Sequence, residues 1–184
     1  KGSPVSVTVS LGIASAAELV PGDEGVSAEA LVARADRALY AAKDTGGAAL
    51  YYSAGTPIGD AEWDKVLLSE RLDPLMKSLV GADPLVVQVY LNTFDSMNRI
   101  YPFFDVLKQY PPFIDIPSYN FYYEADAAHN PSRAAVWTDV YVDPAGQGWM
   151  ASSIAPVYAG DFLEAVVGLD ITVSALVEGV LALR

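Results

Sequence analysis

The stretch Val136–Thr172, VWTDVYVDPAGQGWMASSIAPVYAGDFLEAVVGLDIT, decides the fold. It divides at Asp143-Pro144-Ala145-Gly146 and at Ala159-Gly160-Asp161, both dense in turn-forming residues. The pieces between, Val136–Val142, Trp149–Tyr158 and Phe162–Ile171, are rich in β-branched and aromatic side chains and read as three successive antiparallel strands. Side chains alternate along a strand, so Trp137, Asp139, Tyr141 and Asp143 are expected on one face, with Asp170 on the third strand. Acidic groups on a buried face need partners. The pattern is therefore that of a sheet whose polar face receives a small molecule.

Outward from this stretch the periodicity changes. Ala61–Arg71 reads as a helix with Trp63, Val66 and Leu67 on one side, and Asp73-Pro74 restarts a helix running to Gly81. Leu85–Thr93 and Asn98–Phe103 read as strands, and Asp105–Asn120, with Pro111, Pro112 and Pro117, as loop or short helix. Val173–Leu183 is apolar at helical spacing. The fold class is α+β, an antiparallel sheet with flanking helices. The N-terminal part has a different grammar: an alternating strand over Val5–Ala14, a loop through Pro21-Gly22-Asp23-Glu24-Gly25, and a helix from Ser27 to about Lys43. Gly46-Gly47 stops that helix, and Ala48–Tyr52 reads as a returning strand. This is a partial α/β strand–helix–strand unit over residues 1–55, joined through a linker at 56–62, within Ser53–Asp60 and its flank, to a domain over 63–184.

Composition narrows the function classes. The chain has 184 residues, 52% of them hydrophobic, which is enough for one buried core and part of another. Its net charge is −12, and residues 60–184 carry seven basic against seventeen acidic groups. Such a surface repels a phosphate backbone and anionic lipid, so neither nucleic acid nor a membrane surface is an expected partner. No apolar run reaches the length of a membrane helix, and no signal peptide is visible. The absence of cysteine excludes disulfides and thiolate metal sites. Lys1 in place of Met is what a processed or truncated product would show.

Two resemblances follow from particular residues. Val7-Thr8-Val9-Ser10-Leu11-Gly12-Ile13-Ala14 together with Leu31-Val32-Ala33-Arg34-Ala35-Asp36-Arg37-Ala38-Leu39-Tyr40-Ala41-Ala42-Lys43 resembles the C-terminal third of a GGDEF (diguanylate cyclase) domain. That resemblance implies cyclic di-GMP synthesis from two GTP with Mg²⁺ by a complete cyclase domain, whose metal-binding carboxylates and signature hairpin lie upstream of this strand. Asp23-Glu24 follows the strand and is a solvated loop. Only Lys43 maps onto a nucleotide contact, as a phosphate-facing lysine, and a helix-ending lysine explains it equally well; the arginine expected four residues on is Gly47. No catalytic residue and no cofactor is therefore assigned to this chain, and it is not expected to be an enzyme alone.

Residues 61–184 resemble a Cache (PAS-like) sensor domain. The carriers are Val87–Thr93, Tyr101-Pro102, Phe121-Tyr122-Tyr123, Trp137–Asp143, Ala155-Pro156-Val157-Tyr158 and Val167–Thr172. The resemblance implies a metabolite cleft over the sheet, signalling through terminal helices, and a possible homodimer through those helices. In amino-acid-sensing members an Arg-x-Trp pair grips the carboxylate, and a Tyr-x-Asp with a later Asp holds the ammonium. Tyr141, Asp143 and Asp170 match the ammonium half; Tyr119 and Phe121 stand where the Arg and Trp would be. The implied ligand is a small polar or amine-bearing metabolite.

The candidate ligand-binding residues are Tyr122, Trp137, Asp139, Tyr141, Asp143 and Asp170. Each has a structural alternative: Asp143 could simply open its turn, Asp170 could bond neighbouring amides, and Trp137, Tyr122 and Tyr123 could be core. His129 has no ligand-spaced companions and reads as a surface loop residue; no metal site is expected. Arg99 and Arg133, the cations most able to meet an anionic group, are expected at the surface. With no spanning segment between Tyr52 and Trp63, the sensor is expected on the cytoplasmic side with the cyclase segment, although Cache domains more often lie outside the membrane. The order, sensor after output, is the reverse of the usual one.

Overall fold

Strand β2, Val86–Thr93, alternates Gln88, Tyr90 and Asn92 with Val89 and Leu91, and both of its faces are covered. A strand with two covered faces belongs in the interior of a sheet. The computed structural model, which describes residues 47–182, places it there. β1 (Ala49–Tyr52), β3 (Met97–Tyr101), β2, β7 (Phe162–Thr172), β6 (Trp149–Ala159) and β4 (Val136–Trp137) lie in that order, and β5 (Tyr141–Val142) also pairs with β6. Every pairing is antiparallel.

Register defines the two faces. Ala49, Ile100, Tyr90, Gly168, Ile154 and Val136 form one row across the sheet. On the same face lie a row through Tyr51, Asn98, Asn92 and Val166, and another through Gln88, Asp170 and Ser152. The segment between β3 and β4 covers this face with α3 (Val106–Gln109), α4 (Asn120–Tyr123) and the buried Ile114, Ile116 and Ala125. The other face carries α1 (Asp60–Ser69) and α2 (Asp73–Ala82), which bury Val66 and Met76 against Leu50, Met97 and Val89. α5 (Val173–Leu181) leaves the end of β7, capped by Thr172 Oγ1, which accepts the Ala175 amide at 3.1 Å.

Three sequence expectations change. Val136–Val142 is not one strand. Thr138 interrupts it: its amide donates to Ser152 O at 2.9 Å, and its Oγ1 accepts the Ser152 amide at 3.0 Å. Asp139 is then drawn toward α4, its amide on Glu124 Oε2 and its carbonyl accepting Asn120 Nδ2. The period-two phase is lost there, so Trp137 and Asp139 do not share a face with Tyr141 and Asp143. Arg99 is not at the surface but 2% exposed, between the sheet and the helices. It donates to Ser69 Oγ at 3.0 Å, Val66 O at 3.1 Å and Asp73 Oδ1 at 2.8 Å. A buried guanidinium needs such partners; Asp73, the first residue of α2, supplies one of them, and Leu72 is the N-cap of that helix.

The strand expected at Ala48–Tyr52 is present as β1, and its partner is β3. Ser53–Thr56 is held rather than free: Ser53 N donates to Ser96 O, Ala54 N to Pro112 O, and Thr56 Oγ1 to Asp95 O. The cyclase-like strand and helix over Val5–Lys43 lie outside the described residues.

Gly168 is required by packing. A Cβ there would sit 2.1 Å from Cζ of the Tyr90 ring, far inside contact distance. Gly168→Ala is expected to destabilise the chain by about 1–3 kcal/mol or more, read as a lower urea midpoint. Combining it with Tyr90→Ala should make the loss smaller than the sum of the two single losses, the mark of a shared contact.

Candidate functional site

The polar row of the sheet meets the β3–β4 crossover at a cavity of about 20 Å³, partly open to the surface. Its floor is Tyr90 and Asn92 of β2, Asn98 and Ile100 of β3, and Asp170 of β7. Tyr110, Phe121 and Tyr141 wall it, with Asp143 and Pro144 beside them. The volume admits one or two groups of water size. A larger groove of about 250 Å³ lies on the opposite face between α2 and β6–β7, lined by Leu75, Leu79, Leu169 and other apolar side chains. It offers almost nothing polar to orient a ligand, whereas the small cavity concentrates convergent polar groups, so the small cavity is the candidate site.

Two hydrogen-bonded sets stand in it. Asn98 Nδ2 donates to Asn92 Oδ1 at 2.7 Å, and Tyr110 OH reaches Asn98 Oδ1 at 3.4 Å. At the other end Ser152 Oγ donates to Asp170 Oδ1 at 2.6 Å, with Tyr141 OH 2.7 Å from Ser152 Oγ and 3.3 Å from the same Asp170 oxygen. The Tyr90 hydroxyl is buried with no hydrogen-bond partner among the described residues. Orphaned buried groups cost free energy, and in native proteins they point to water, ligand or function.

The two carboxylates differ. Asp143 accepts the Ala145 amide at 2.9 Å on Oδ1 and the Gln147 amide at 3.0 Å on Oδ2, so it organises the turn that carries Gly146 at φ +87°. Burial raises its pKa, and the two amides oppose that shift. Asp170 is 2% exposed, and its two side-chain hydrogen bonds among the described residues both fall on Oδ1. Burial pushes its pKa up to about 7; Ser152 and Tyr141 pull it down, and the nearby Asp143 charge adds to the rise. Among the described residues no Lys, Arg or His lines the cavity. Burial likewise raises Tyr90, Tyr110 and Tyr141, keeping all three phenols neutral.

Of the residues singled out from sequence, Tyr141, Asp143 and Asp170 come together here. The other three described ones do not. Tyr122 is core, its hydroxyl donating to Leu163 O at 3.0 Å. Trp137 is 61% exposed and pairs with Ser153, which faces the apolar groove. Asp139 is exposed, and Lys43 lies outside the described residues. Tyr123 is partly exposed beside His129, which sits 2.8 Å from Asp126 Oδ1 on an exposed loop. Arg133 stacks on Tyr158 and pairs with Asp161. Phe121 stacks on Tyr119 and leans against Tyr141 at 5.2 Å. Sequence reading missed Tyr90, Asn92, Asn98, Tyr110 and Ser152. The alternation Gln88-x-Tyr90-x-Asn92 was the available signal for two of them.

No protein-family model matches the chain, and no curated protein does. Solved structures do. Several of these are ligand-binding domains of chemoreceptors. One is the ligand-binding domain of the Pseudomonas aeruginosa PAO1 amino acid chemoreceptor PctB in complex with L-Gln, at 22% identity and a TM-score of 0.44, covering 64% of this chain and 41% of that one. Another is that of the Pseudomonas fluorescens chemoreceptor CtaA with L-valine, at 19% and 0.44, covering 62% and 46%. A third is that of Campylobacter jejuni Tlp3 with L-norvaline, at 18% and 0.44, covering 77% and 49%. The chain spans less than half the length of each. Among the described residues no helix is long and apolar enough to cross a membrane, and no three His, Cys, Asp or Glu side chains cluster as metal ligands.

Two outcomes are expected. Asp143→Ala removes both amide bonds to a charged acceptor and should cost about 1.5–3 kcal/mol, with Asp143→Asn milder, by urea denaturation. Asp170 keeps its proton to about pH 7 when folded but to only about the ordinary value of 3.8 when unfolded. The folded state therefore binds more protons between those values, and its stability falls as pH rises from about 4 to about 7 and levels off above. Urea midpoints from pH 4 to 8 should show Asp170→Asn losing this decline, which is on the order of 3–4 kcal/mol. Identical pH profiles for the two proteins would contradict the assignment.

Proposed function

We propose that residues 47–182 form a ligand-sensing domain of PAS-like architecture that takes a small polar or amine-bearing metabolite into the cavity at Asp170. The observation that carries this reading is a buried carboxylate that meets no cation among the described residues, beside a buried phenol with no partner among them, in a cavity on a sheet face. A core built for stability alone pairs such groups or replaces them with apolar ones. A ligand ammonium or hydroxyl supplies the missing partner, and Tyr90, Tyr110, Phe121 and Tyr141 supply aromatic walls.

The signalling step is a population shift. Asp170 stands two residues before Thr172, the cap of α5, on the same strand. Asn98, on the floor of the cavity, is followed directly by Arg99, which ties β3 to α1 and α2. A ligand that draws Asp170 or Asn98 inward moves a residue adjoining a helix attachment at each side of the sheet. α5 carries the exposed Leu176, Val177, Val180 and Leu181, an apolar surface suited to a second copy or to a following segment.

The pattern over Val5–Lys43 supports a further statement about the polypeptide, that the sensor is attached to the C-terminal part of a diguanylate cyclase domain. The alternative that follows is a parent enzyme making cyclic di-GMP from GTP with Mg²⁺, its catalytic residues upstream of this sequence. No step of that chemistry falls on the described residues.

Thermal unfolding of the full chain against a panel of amines, amino acids, carboxylates and nucleobases tests the sensing reading. A ligand at a hundred times its Kd should stabilise the fold by about 2.7 kcal/mol, with the effect reduced in Asp170→Asn. No shift with any member of the panel would sink the proposal.

A further inference from the structure

We propose that the apolar groove behind the sheet is the docking site of this chain's own segment Ser27–Lys43, laid along α2 as a helix over β7 and β6. The inference goes beyond the sensing reading and does not depend on it, because groove and cavity lie on opposite faces of the sheet. It begins with a sheet that is half covered from behind. α1 and α2 bury Val66 and Met76 against Leu50 of β1, Met97 of β3 and Val89 of β2. Along β6 and β7 burial alternates instead. Ser152, Ile154, Val166, Gly168 and Asp170 face forward and are buried, whereas Ser153, Ala155, Val167 and Leu169 face back and are only partly so. Beside them Leu75 and Leu79 on α2 and Trp137 on β4 are 55%, 37% and 61% exposed. Among the described residues no charged side chain lines the groove. An apolar groove of about 250 Å³ with nothing over it among those residues marks a contact surface.

Three observations select the occupant. The first is reach. Residues 1–46 lie outside the described ones, and the chain continues from them into Ala48, buried against Met76 and Val89 on this same back face. From β1 to β6 is four strand spacings, about 19 Å. The chain from Lys43 to Ala48 extends to about 17 Å. The end of the segment therefore reaches the space between α2 and β7. A helix over Ser27–Lys43, about 25 Å long, then outlasts the ten residues of α2, about 15 Å.

The second is pattern. Leu31, Ala35, Leu39 and Ala42 form one stripe at helical spacing, with Arg34 and Arg37 off it. Leucines about two turns apart, with alanines between and after, complement a wall of Leu75 and Leu79 above a floor kept shallow by Ser153 and Ala155. The third is charge. Residues 30–43 carry Arg34, Arg37 and Lys43 against Asp36 alone, whereas residues 60–184 hold seven basic and seventeen acidic groups. The body attracts this segment and repels a second copy of net charge −12. Docked there, the segment lies behind Gly168 and Tyr90, and the Tyr90 ring lines the cavity in front. A packed helix then ties the N-terminal part of the chain to the wall of the ligand site.

Hydrogen exchange of the full chain, read by mass spectrometry, tests this. A lone helix of this length is marginal in water, so protection of its amides reports docking. The amides of Leu31–Ala42 are expected to exchange at least tenfold more slowly than an unstructured chain. Leu79→Asp should abolish that protection while the β6–β7 amides stay protected. The chain has no cysteine, so Leu39→Cys with Leu79→Cys gives a reading that survives if Leu79→Asp does not fold. A short bis-maleimide should join the two within one chain. Exchange of Leu31–Ala42 at the unprotected rate in the unaltered chain would overturn the inference. So would protection that persists in folded Leu79→Asp, or cross-links that form only between chains, which would give the groove to a second copy. The sensing reading stands or falls separately, on the ligand panel.

Discussion

The contact between Tyr90 and Gly168 sets the geometry on which the rest depends. Two strands in register normally place side chain against side chain, yet here an aromatic ring lies across a residue with none. The ring therefore leans over β7 instead of standing away from the sheet. That brings a buried phenol to the neighbourhood of Ser152 and Asp170, and leaves a hollow between the sheet and the β3–β4 crossover. Any side chain at 168 would collide with the ring before a cavity could form. The site is in this sense a consequence of the register between β2 and β7, which are paired at seven positions including Tyr90 with Gly168.

The two faces of the sheet are stabilised in different ways. Behind it, α1 and α2 close over Val66, Met76 and Met97, and Arg99 is fully paired. In front, an aromatic and aliphatic cluster surrounds a polar hollow in which the Tyr90 hydroxyl lacks a partner among the described residues, as does Gln88 Oε1 in the row of Asp170, whose own hydrogen bonds fall on one oxygen. A protein tolerates such groups where the surrounding fold over-determines them. The unpaired groups are not confined to one face, since the Tyr52 hydroxyl behind the sheet also lacks a partner among the described residues, but only in front do unpaired groups border a cavity. The linkage sign agrees: burying Asp170 makes the folded state proton-hungry near neutrality.

How much of this was legible in the sequence depends on the range of the interaction that decides each feature. β6 and β7 were legible because their alternation and turns are local signals, and α1 and α2 for the same reason. The break at Thr138 was not, because a side chain that imitates the backbone toward Ser152 is a contact across fourteen residues. Asp139 and Trp137 were misplaced by that break alone. Arg99 was read as a surface cation because an isolated arginine on a strand gives no hint that Ser69, Asp73 and Val66 O will enclose it from another element. Asn92 and Asn98 came together only through the β2–β3 register, whereas Asp170 stood out as an acid inside an apolar strand.

Asp143 and Asp170 show why spacing alone could not assign roles. As sequence they are two acids near turns or strand ends, equally able to meet an amine. The fold separates them by what the backbone can offer. The turn after β5 presents two free amides, and Asp143 is consumed in satisfying them. In β7 the amides are committed to β2 and β6, so Asp170 finds only a serine and a phenol on one oxygen. Its other oxygen, beside a space the size of a single head group, is the chemical opening that the opening stretch of sequence hinted at and that only the paired strands around it could define.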